Sequence, residues 1–367
     1  MQTTLWNCEA FKPLRPRRSR TAGQRTWLAS ALPLFFALQS CSAGITSLDV
    51  IDECEGPGFS GAPNPWFNAS GALLAYPLTL SKLSAIVPMG DLNPPAHVYP
   101  TEHAYLVLTN PAAGVARLQA PAGGQVVRLY QPDDKGWTVV VQVDTSFFYY
   151  IGQITPLANI AVGSRVQAGQ RLGTNSGLAP SVAFGVYNFN KTSNVGILNR
   201  CLARTSNYAD SPLKYFAGPT QQALYDKVKV DGQATKDGKI NYDESGRLVG
   251  NWVLAGSLPT RELDQALAFV YDVRNHTLRI SMGSSLAGGG VFAVQPGATD
   301  FALVMQGSGQ TNYRLFPTGV ADGGPPGTEI GVLAVQLISG GRIQVEFFPG
   351  ILTSSPRFTE AALIYDR

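Results

Sequence analysis

Residues 149–177, YYIGQITPLANIAVGSRVQAGQRLGTNSG, decide the fold of the first half of this chain. Five glycines divide the stretch into short strand-like runs. Such runs between turn residues indicate β-strands joined by tight hairpins, and glycine suits these hairpins because it adopts positive φ without steric cost. No part of the stretch has the spacing of an amphipathic helix. The stretch therefore predicts antiparallel β-structure.

Further strand-like runs lie on both sides of this stretch. They are HAYLVLT (103–109), GVARLQAP (114–121), GGQVVRLYQP (123–132), GWTVVVQVDTSFFYYIGQI (136–154) and SVAFGVYNFN (181–190). Together they predict an antiparallel β domain over residues 76–205. Residues 241–367 contain eight or nine more short runs between Gly, Pro and Asn turns, which is typical of a β-sandwich or small barrel. The sequence thus predicts an all-β fold with two domains.

Two less regular segments flank the first predicted domain. Residues 41–75 are rich in Gly, Pro and Ser and predict an irregular tether, from which Trp66 and Phe67 are expected to pack onto the domain. Residues 206–240 are more charged and predict a connector. Within it, PTQQALYDKV (219–228) predicts a short helix with Thr220 as its N-cap.

Residues 1–40 have the features of a secretory signal. Six basic residues precede the run TWLASALPLFFALQSC (26–41), whose apolar core is too short to span a bilayer. The last four residues of this run resemble a bacterial lipobox, in which Cys41 receives the lipid; ordinary cleavage nearby is the alternative. We therefore expect an exported lipoprotein anchored in the bacterial cell envelope, at the outer membrane or in the periplasm.

The charge balance depends on this N-terminal segment. The whole chain has 28 basic and 25 acidic residues, for a net charge of +3. Without residues 1–40, 22 basic and 24 acidic residues remain, and the net charge is −2. A near-neutral body without basic clusters argues against a nucleic-acid partner.

The cysteines fit an exported protein. Cys8 leaves with the predicted signal, and acylation of Cys41 leaves Cys54 and Cys201 as an even pair in an oxidising compartment. We predict that these two form a disulfide, which would close a loop of about 150 residues and stabilise the fold by about 4–5 kcal/mol in the chain-entropy model. Two unrelated buried thiols are the alternative.

Two of the three histidines lie in HVYPTEH, residues 97–103. Histidine and carboxylate side chains are common zinc ligands, so His97, Glu102 and His103 are candidate metal ligands. Three ligands from this one loop would form a site without the usual general base. The third histidine, His276, lies in the second predicted domain and cannot easily join them.

The first predicted domain resembles the lysostaphin-type, or LytM-like, zinc endopeptidases, which cut peptide cross-links in bacterial cell walls. LQAPAGGQVVRL (118–129) is similar to the family's V-x-A-x-x-x-G-x-V. Residues 149–177 follow its Y-x-H-L … V-x-x-G-x-x-V-x-x-G-Q-x-I-G-x-x-G, and SVAFGVYN (181–188) falls where the family carries H-L-H-F-E-V. The resemblance implies the compact β fold, a duplicated hybrid motif, that is shared with biotinyl- and lipoyl-carrier domains.

The family's zinc is held by a histidine, an aspartate about four residues later and the second histidine of H-x-H. Carried over to this chain, the first pair falls within residues 97–103, with Glu102 in the aspartate role. The histidine of Y-x-H-L falls on Gly152, and the two of H-x-H fall on Ser181 and Ala183. Because glycine and alanine offer no ligand, the resemblance implies a degenerate, non-hydrolytic member of the family.

We expect a non-hydrolytic domain of this kind to bind a ligand rather than to cleave peptidoglycan. A cleft lined by Ser181, Tyr150 and Tyr187, beside the proline-stiffened loop that carries HVYPTEH, predicts a site for a peptide or a glycan. Degenerate LytM domains regulate amidases in related cell-wall machinery. The resemblance therefore implies a cell-wall peptide or an envelope protein as partner, and no cofactor.

Two alternatives stay open at this point. One is a zinc endopeptidase that acts on peptidoglycan through a rearranged site at His97, Glu102 and His103. The other is a structural surface protein without a ligand.

The motif GNW, residues 250–252, stands at the head of the strands in the second domain. It is similar to the G-x-W start of lipocalin-like barrels, in which the tryptophan packs across the closed end. That similarity implies a small-ligand or closed barrel. A core tryptophan on an ordinary strand is the alternative.

Overall fold

The computed structural model describes residues 61–94, 97–133, 135–192, 206–257, 263–318 and 327–367. These residues form a large antiparallel sheet followed by a closed barrel, which confirms the predicted all-β fold class. The predicted signal and three cysteines lie outside the described residues, so the lipid anchor and the disulfide stay predictions; the cysteines are Cys41, Cys54 and Cys201.

Ten strands form the sheet. They are β1 (Leu83–Val87), β2 (Ala104–Leu108), β3 (Arg117–Gln119), β4 (Gly124–Asp133), β5 (Gly136–Asp144), β6 (Phe147–Pro156), β7 (Arg165–Val166), β8 (Arg171–Asn175), β9 (Ser181–Asn188) and β10 (Ala209–Asp210). The main order is β1-β2-β9-β6-β5-β4-β7, with β10 beside β9, and with β8 pairing with both β3 and β6. Strand β9 therefore lies between β2 and β6, and all three contribute to the candidate site.

Alternation along the strands sends successive side chains to opposite faces of the sheet. One face carries the main hydrophobic core, to which β6 and β9 contribute Phe147, Tyr149, Ile151, Val182, Phe184 and Val186. The opposite face carries a smaller buried cluster that includes Phe148, Tyr150 and Tyr187. This second face holds the candidate site.

The glycines of residues 149–177 take the positions that the sequence predicts for them. Gly163 and Gly169 have φ values of 91° and 80°, in the turns on either side of β7. Gly173 on β8 has a different role, because a Cβ there would collide with the carbonyl oxygen of Thr155 on β6. Both tight turning and close strand approach thus require glycine in this stretch.

The prediction that Trp66 and Phe67 pack onto the sheet domain is correct for only one of the two residues. Phe67 packs against Phe147, with ring centroids 5.9 Å apart. Trp66 is 92% exposed, so its predicted packing onto the domain is wrong. The Asn64 side chain accepts a hydrogen bond from the Trp66 backbone N–H at 3.2 Å, and the resulting turn leaves Trp66 outside the core that Phe67 enters.

The connector contains helix α1 (Gly218–Tyr225). Its N-cap is Ala217, which makes no capping hydrogen bond through its side chain, and Pro219 lies in its first turn. The prediction of Thr220 as N-cap is therefore wrong, because the fixed φ of proline already suits the first helical turn. Among the described residues, no helix combines the length and apolar character needed to cross a membrane.

Eight strands form the barrel. They are β11 (Gly250–Leu254), β12 (Ala266–Tyr271), β13 (Leu278–Met282), β14 (Gly290–Val294), β15 (Thr311–Pro317), β16 (Gly331–Ser339), β17 (Arg342–Pro349) and β18 (Leu363–Asp366). Each pairs antiparallel with the next, and β18 closes the barrel against β11. An eight-stranded barrel is narrow enough for side chains to fill, and Phe269, Tyr313 and Tyr365 are among its fully buried residues.

Trp252 of the GNW motif is fully buried on β11. Its indole N–H donates to the Leu248 carbonyl at 2.8 Å. The Arg367 guanidinium lies 4.0 Å from the indole ring centroid and donates to the Val249 carbonyl at 2.6 Å. The two ends of the barrel sequence are therefore joined by a cation–π contact and by backbone hydrogen bonds.

The loop between β1 and β2 contacts the barrel. The Tyr99 hydroxyl donates to the Trp252 carbonyl at 3.0 Å, and the Arg274 guanidinium donates to Asp91 Oδ1 at 2.9 Å. Leu92 from the same loop belongs to the barrel's hydrophobic cluster. The loop that carries HVYPTEH is thus held between the sheet and the barrel.

Candidate functional site

Three neighbouring strands position the candidate site on the second face of the sheet. Tyr105 of β2 pairs with Ala183 of β9, and Tyr150 of β6 pairs with Gly185 of β9. A Cβ at Gly185 would collide with the Tyr150 ring, so this glycine provides the space in which the ring lies. His103 directly precedes β2, which brings it to the same face.

Glu102 and His103 are bound there by hydroxyl groups. The Tyr187 hydroxyl donates to Glu102 Oε1 at 2.9 Å, and the Ser206 hydroxyl donates to Glu102 Oε2 at 3.0 Å. The Tyr150 hydroxyl and His103 Nδ1 share a hydrogen bond of 3.2 Å. We call these five residues the polar cluster. His103 Nε2 is buried and has no hydrogen-bond partner among the described residues.

Ring contacts enclose the polar cluster. The Tyr150 and Tyr187 rings are stacked, with centroids 5.2 Å apart. The His103 ring meets the Tyr105 ring edge-on at 4.7 Å and the His97 ring at 5.3 Å. His97, the other histidine of HVYPTEH, therefore lies next to the polar cluster.

Burial favours the neutral form of each titratable group in the polar cluster. It raises the pKa of the Glu102 carboxyl, although hydrogen bonds from Tyr187 and Ser206 oppose that shift. It lowers the pKa of His103 well below the usual value, and nearby His97 adds to the shift. It raises the pKa of the Tyr150 hydroxyl well above its usual value. The cluster is thus a poor environment for charge.

Side chains from the loops and from the short strand β10 cover this face. Met89 from the β1–β2 loop, Ala209 of β10 and Ile240 from the connector all pack into the small cluster with Tyr150 and Tyr187. Tyr150 is 6% exposed and Tyr187 is 4% exposed. Their role in a binding cleft stays a prediction, and a ligand would reach them only after this cover moves.

The positions that replace histidines lie on the same face. A Cβ at Gly152 would lie 3.2 Å from Ala183 Cβ and 3.1 Å from Thr138 Oγ1. Ala183 is 7% exposed, and Ser181, two residues before it on β9, is partly buried. Gly152, Ser181 and Ala183 therefore lie on the sheet face to which His103 also belongs, and neither Gly152 nor Ala183 offers a metal-binding group there.

The donor set does not match the three-ligand zinc site that the resemblance implies. Within the described ranges, no group of three His, Cys, Asp or Glu residues lies close enough together to hold a metal ion. Both carboxylate oxygens of Glu102 accept hydrogen bonds from hydroxyl groups. Zinc binding at His97, Glu102 and His103 stays a prediction, which metal analysis tests directly.

Some contributors were not predicted from the sequence. Ser206, which is 104 residues after Glu102 in the sequence, donates a hydrogen bond to it. Ile240, at the end of the connector, packs over the tyrosines of the cluster. Tyr99 fixes the loop to the barrel through its hydroxyl. A tyrosine between two histidines in a short loop was the available signal for Tyr99, whereas Ser206 and Ile240 have no distinctive local pattern.

No protein-family model matches the chain, and no curated protein matches it. Among solved structures, a zinc-containing peptidase from Vibrio cholerae aligns at 17% identity over 32% of this chain and 37% of that chain, with a TM-score of 0.27. Csd3 from Helicobacter pylori aligns at 19% identity over 36% of this chain and 37% of that chain, with a TM-score of 0.26. A structure of the SpoIIQ–SpoIIIAH pore-forming complex aligns at 14% identity over 42% of this chain and 96% of that chain, with a TM-score of 0.29.

The chain thus covers well under half the length of the peptidase and Csd3 structures. Other structures that it is similar to include one from Pseudomonas aeruginosa that is assigned as an M23 peptidase. At these identities and TM-scores, the similarities carry no argument about what the chain binds or cleaves.

Proposed function

We propose that this chain is an exported cell-envelope lipoprotein whose LytM-like domain does not hydrolyse peptidoglycan and instead binds a cell-wall or protein ligand. One observation carries the proposal. Gly152 and Ala183, which stand where the resemblance requires imidazoles, lie side by side on the sheet face that also holds His103.

The chemistry of zinc hydrolysis supports the same conclusion. A catalytic zinc needs three protein ligands, an open position for water and a group that moves a proton. Of the chain's three histidines, His103 belongs to the polar cluster, His97 lies beside it, and His276 follows β12 in the barrel. Both carboxylate oxygens of Glu102 accept hydrogen bonds from hydroxyl groups, and stacked tyrosine rings lie beside it.

Export to the envelope rests on the sequence of residues 1–41. The apolar run after a basic segment and the lipobox-like LQSC support a lipid anchor at Cys41. Radiolabelled palmitate should enter the membrane-bound wild-type protein and should be lost in a Cys41→Ser variant. Equal labelling of both proteins would contradict the anchor without bearing on ligand binding.

Binding and hydrolysis are measured together by incubating purified protein with isolated peptidoglycan sacculi. We expect the protein to sediment with sacculi and to release no soluble muropeptides, with or without added zinc. Release of muropeptides that stops in a His103→Ala variant would overturn the non-hydrolytic assignment. Failure to sediment with sacculi and to capture an envelope protein by cross-linking would overturn the binding role.

A further inference from the structure

A concavity of about 740 Å³ lies on the barrel, away from the polar cluster. Its walls come from three parts of the chain: the turn between β12 and β13, the end of β14 with the residues that follow it up to position 300, and Gly232 and Gln233 of the connector. Small-molecule sites in proteins have volumes of roughly 300–1,000 Å³. The concavity therefore has the size of a ligand site, and its chemistry indicates which ligand it fits.

His276 lies in this concavity with an unusual backbone. It has a φ of 58°, in a turn closed by its own N–H donating to the Asp272 carbonyl at 2.8 Å. This left-handed region favours glycine and, among other residues, asparagine, aspartate and histidine, so a turn of this kind accepts several residue types. The turn alone does not call for histidine at this position.

The imidazole of His276 is held in a fixed orientation. It stacks on the Tyr271 ring at a centroid distance of 4.3 Å and an interplanar angle of 4°. The Tyr271 hydroxyl donates to Asp300 Oδ1 at 2.6 Å, and that oxygen also accepts from the Ala302 N–H at 2.9 Å. A flat ring and a fixed carboxylate thus lie on adjoining walls of the concavity.

Several polar groups on these walls have unused hydrogen-bonding capacity. Among the described residues, no hydrogen bond engages the side-chain amide of Gln233, the Asn275 amide nitrogen or the imidazole nitrogens. Asp300 Oδ2 is likewise without a hydrogen-bond partner there. These groups offer both donors and acceptors, which suits a neutral ligand with many hydroxyl or amide groups.

The charges in the concavity disfavour an anionic ligand. The Arg279 guanidinium lies 3.2 Å from Asp272 Oδ2 and donates to the Leu278 carbonyl at 3.1 Å, so its charge is balanced locally. Asp300 contributes a carboxylate to the same walls. A phosphate or carboxylate ligand would meet this carboxylate without an unpaired cation nearby.

We propose that this concavity binds a carbohydrate, specifically a glycan segment that carries hydroxyl and N-acetyl groups. The apolar face of a sugar ring packs on the fixed imidazole, while its hydroxyl and amide groups pair with Gln233, Asn275 and Asp300. The inference rests on the proposed function, because the cell wall supplies glycan of this chemistry. It assigns glycan recognition to the barrel and leaves the sheet face free for another role.

The test uses a β-1,4-linked N-acetylglucosamine tetramer, titrated into purified protein and followed by calorimetry and by NMR shifts. His276→Asn removes the imidazole but keeps a residue that tolerates left-handed backbone, and Gln233→Ala removes one amide. Each variant should bind at least about tenfold more weakly, a change of about 1.4 kcal/mol. Glu360→Gln, an exposed change outside these walls, should bind like wild type.

Unchanged affinity in both variants, or no binding of the tetramer to wild-type protein, would overturn the inference. A cooperative thermal melt of the His276→Asn variant, shifted by no more than the loss of the Tyr271 ring contact explains, separates lost binding from lost folding. Sacculus binding distinguishes the two proposals. If the tetramer does not bind but wild type still sediments with sacculi or captures an envelope protein, only the glycan site fails, whereas the absence of any sacculus or envelope-protein binding removes the proposed function.

Discussion

Replacement of Tyr187 by phenylalanine tests whether Glu102 is a structural acceptor. The change removes one oxygen atom, which donates to Glu102 Oε1 at 2.9 Å. Hydrogen bonds to charged groups contribute about 1.5–3 kcal/mol, and loss of this donor leaves a carboxylate oxygen of the polar cluster without its partner. We expect Tyr187→Phe to lower the free energy of unfolding by about 2 kcal/mol.

Urea denaturation followed by circular dichroism measures this loss, with Tyr149→Phe as the matched control. Tyr149 lies on the other face of the same sheet, and its hydroxyl donates to the neutral carbonyl of Ala122 at 3.0 Å. Its removal should cost about 1 kcal/mol, the value of a typical neutral hydrogen bond. In a Glu102→Gln background, Tyr187→Phe should also cost only about 1 kcal/mol.

The reasoning is refuted if Tyr187→Phe costs no more than the Tyr149→Phe control. It is also refuted if the cost is the same with Glu102 and with the glutamine variant. Either result would mean that the contact between Tyr187 and Glu102 contributes no charge-assisted stabilisation, and Glu102 would regain its candidacy as a metal ligand.

Two further substitutions test the barrel and a tight turn, and a pH experiment tests Glu102 itself. Arg367→Ala should lower barrel stability by about 3 kcal/mol, measured by thermal melting, because a buried guanidinium that lies over an indole and donates to backbone carbonyls is lost. Gly238→Ala should destabilise more than Gly246→Ala in urea, since both have a φ of 73° but only the first Cβ would collide with a carbonyl oxygen, that of Met89. The raised pKa of Glu102 means that its ionised form costs stability, so acidification from neutral pH through that pKa should stabilise wild type relative to Glu102→Gln; the opposite trend in pH-dependent melts would contradict the assignment.

Local chemistry explains what the sequence predicted well. The turns at Gly163 and Gly169 depend on backbone angles that glycine adopts easily, so their spacing indicates hairpins without knowledge of the rest of the chain. The Gly, Pro and Asn turns between the barrel strands are also local signals, each residue favouring a turn for its own reason. Trp252 was correctly singled out, and its full burial agrees with either of the two interpretations of GNW.

Long-range packing explains what the sequence did not predict. Burial of Tyr150 depends on Met89 and Ile240, which come from separate loops. The partner of Glu102 at Ser206 is 104 residues away, and such a contact follows from the topology of the sheet and connector rather than from residue spacing. The prediction of Thr220 as N-cap was wrong for a local reason, because the helix begins before Thr220, with Pro219 in its first turn.

Metal analysis of the purified protein, after equilibrium dialysis against excess zinc, tests the central claim most directly. The account predicts substoichiometric zinc, unchanged in His97→Ala and His103→Ala variants, because Gly152 and Ala183 supply no ligands and Glu102 is bound by two hydroxyl groups. Stoichiometric zinc that disappears in either histidine variant would contradict it, and would show a metal site built on the HVYPTEH loop.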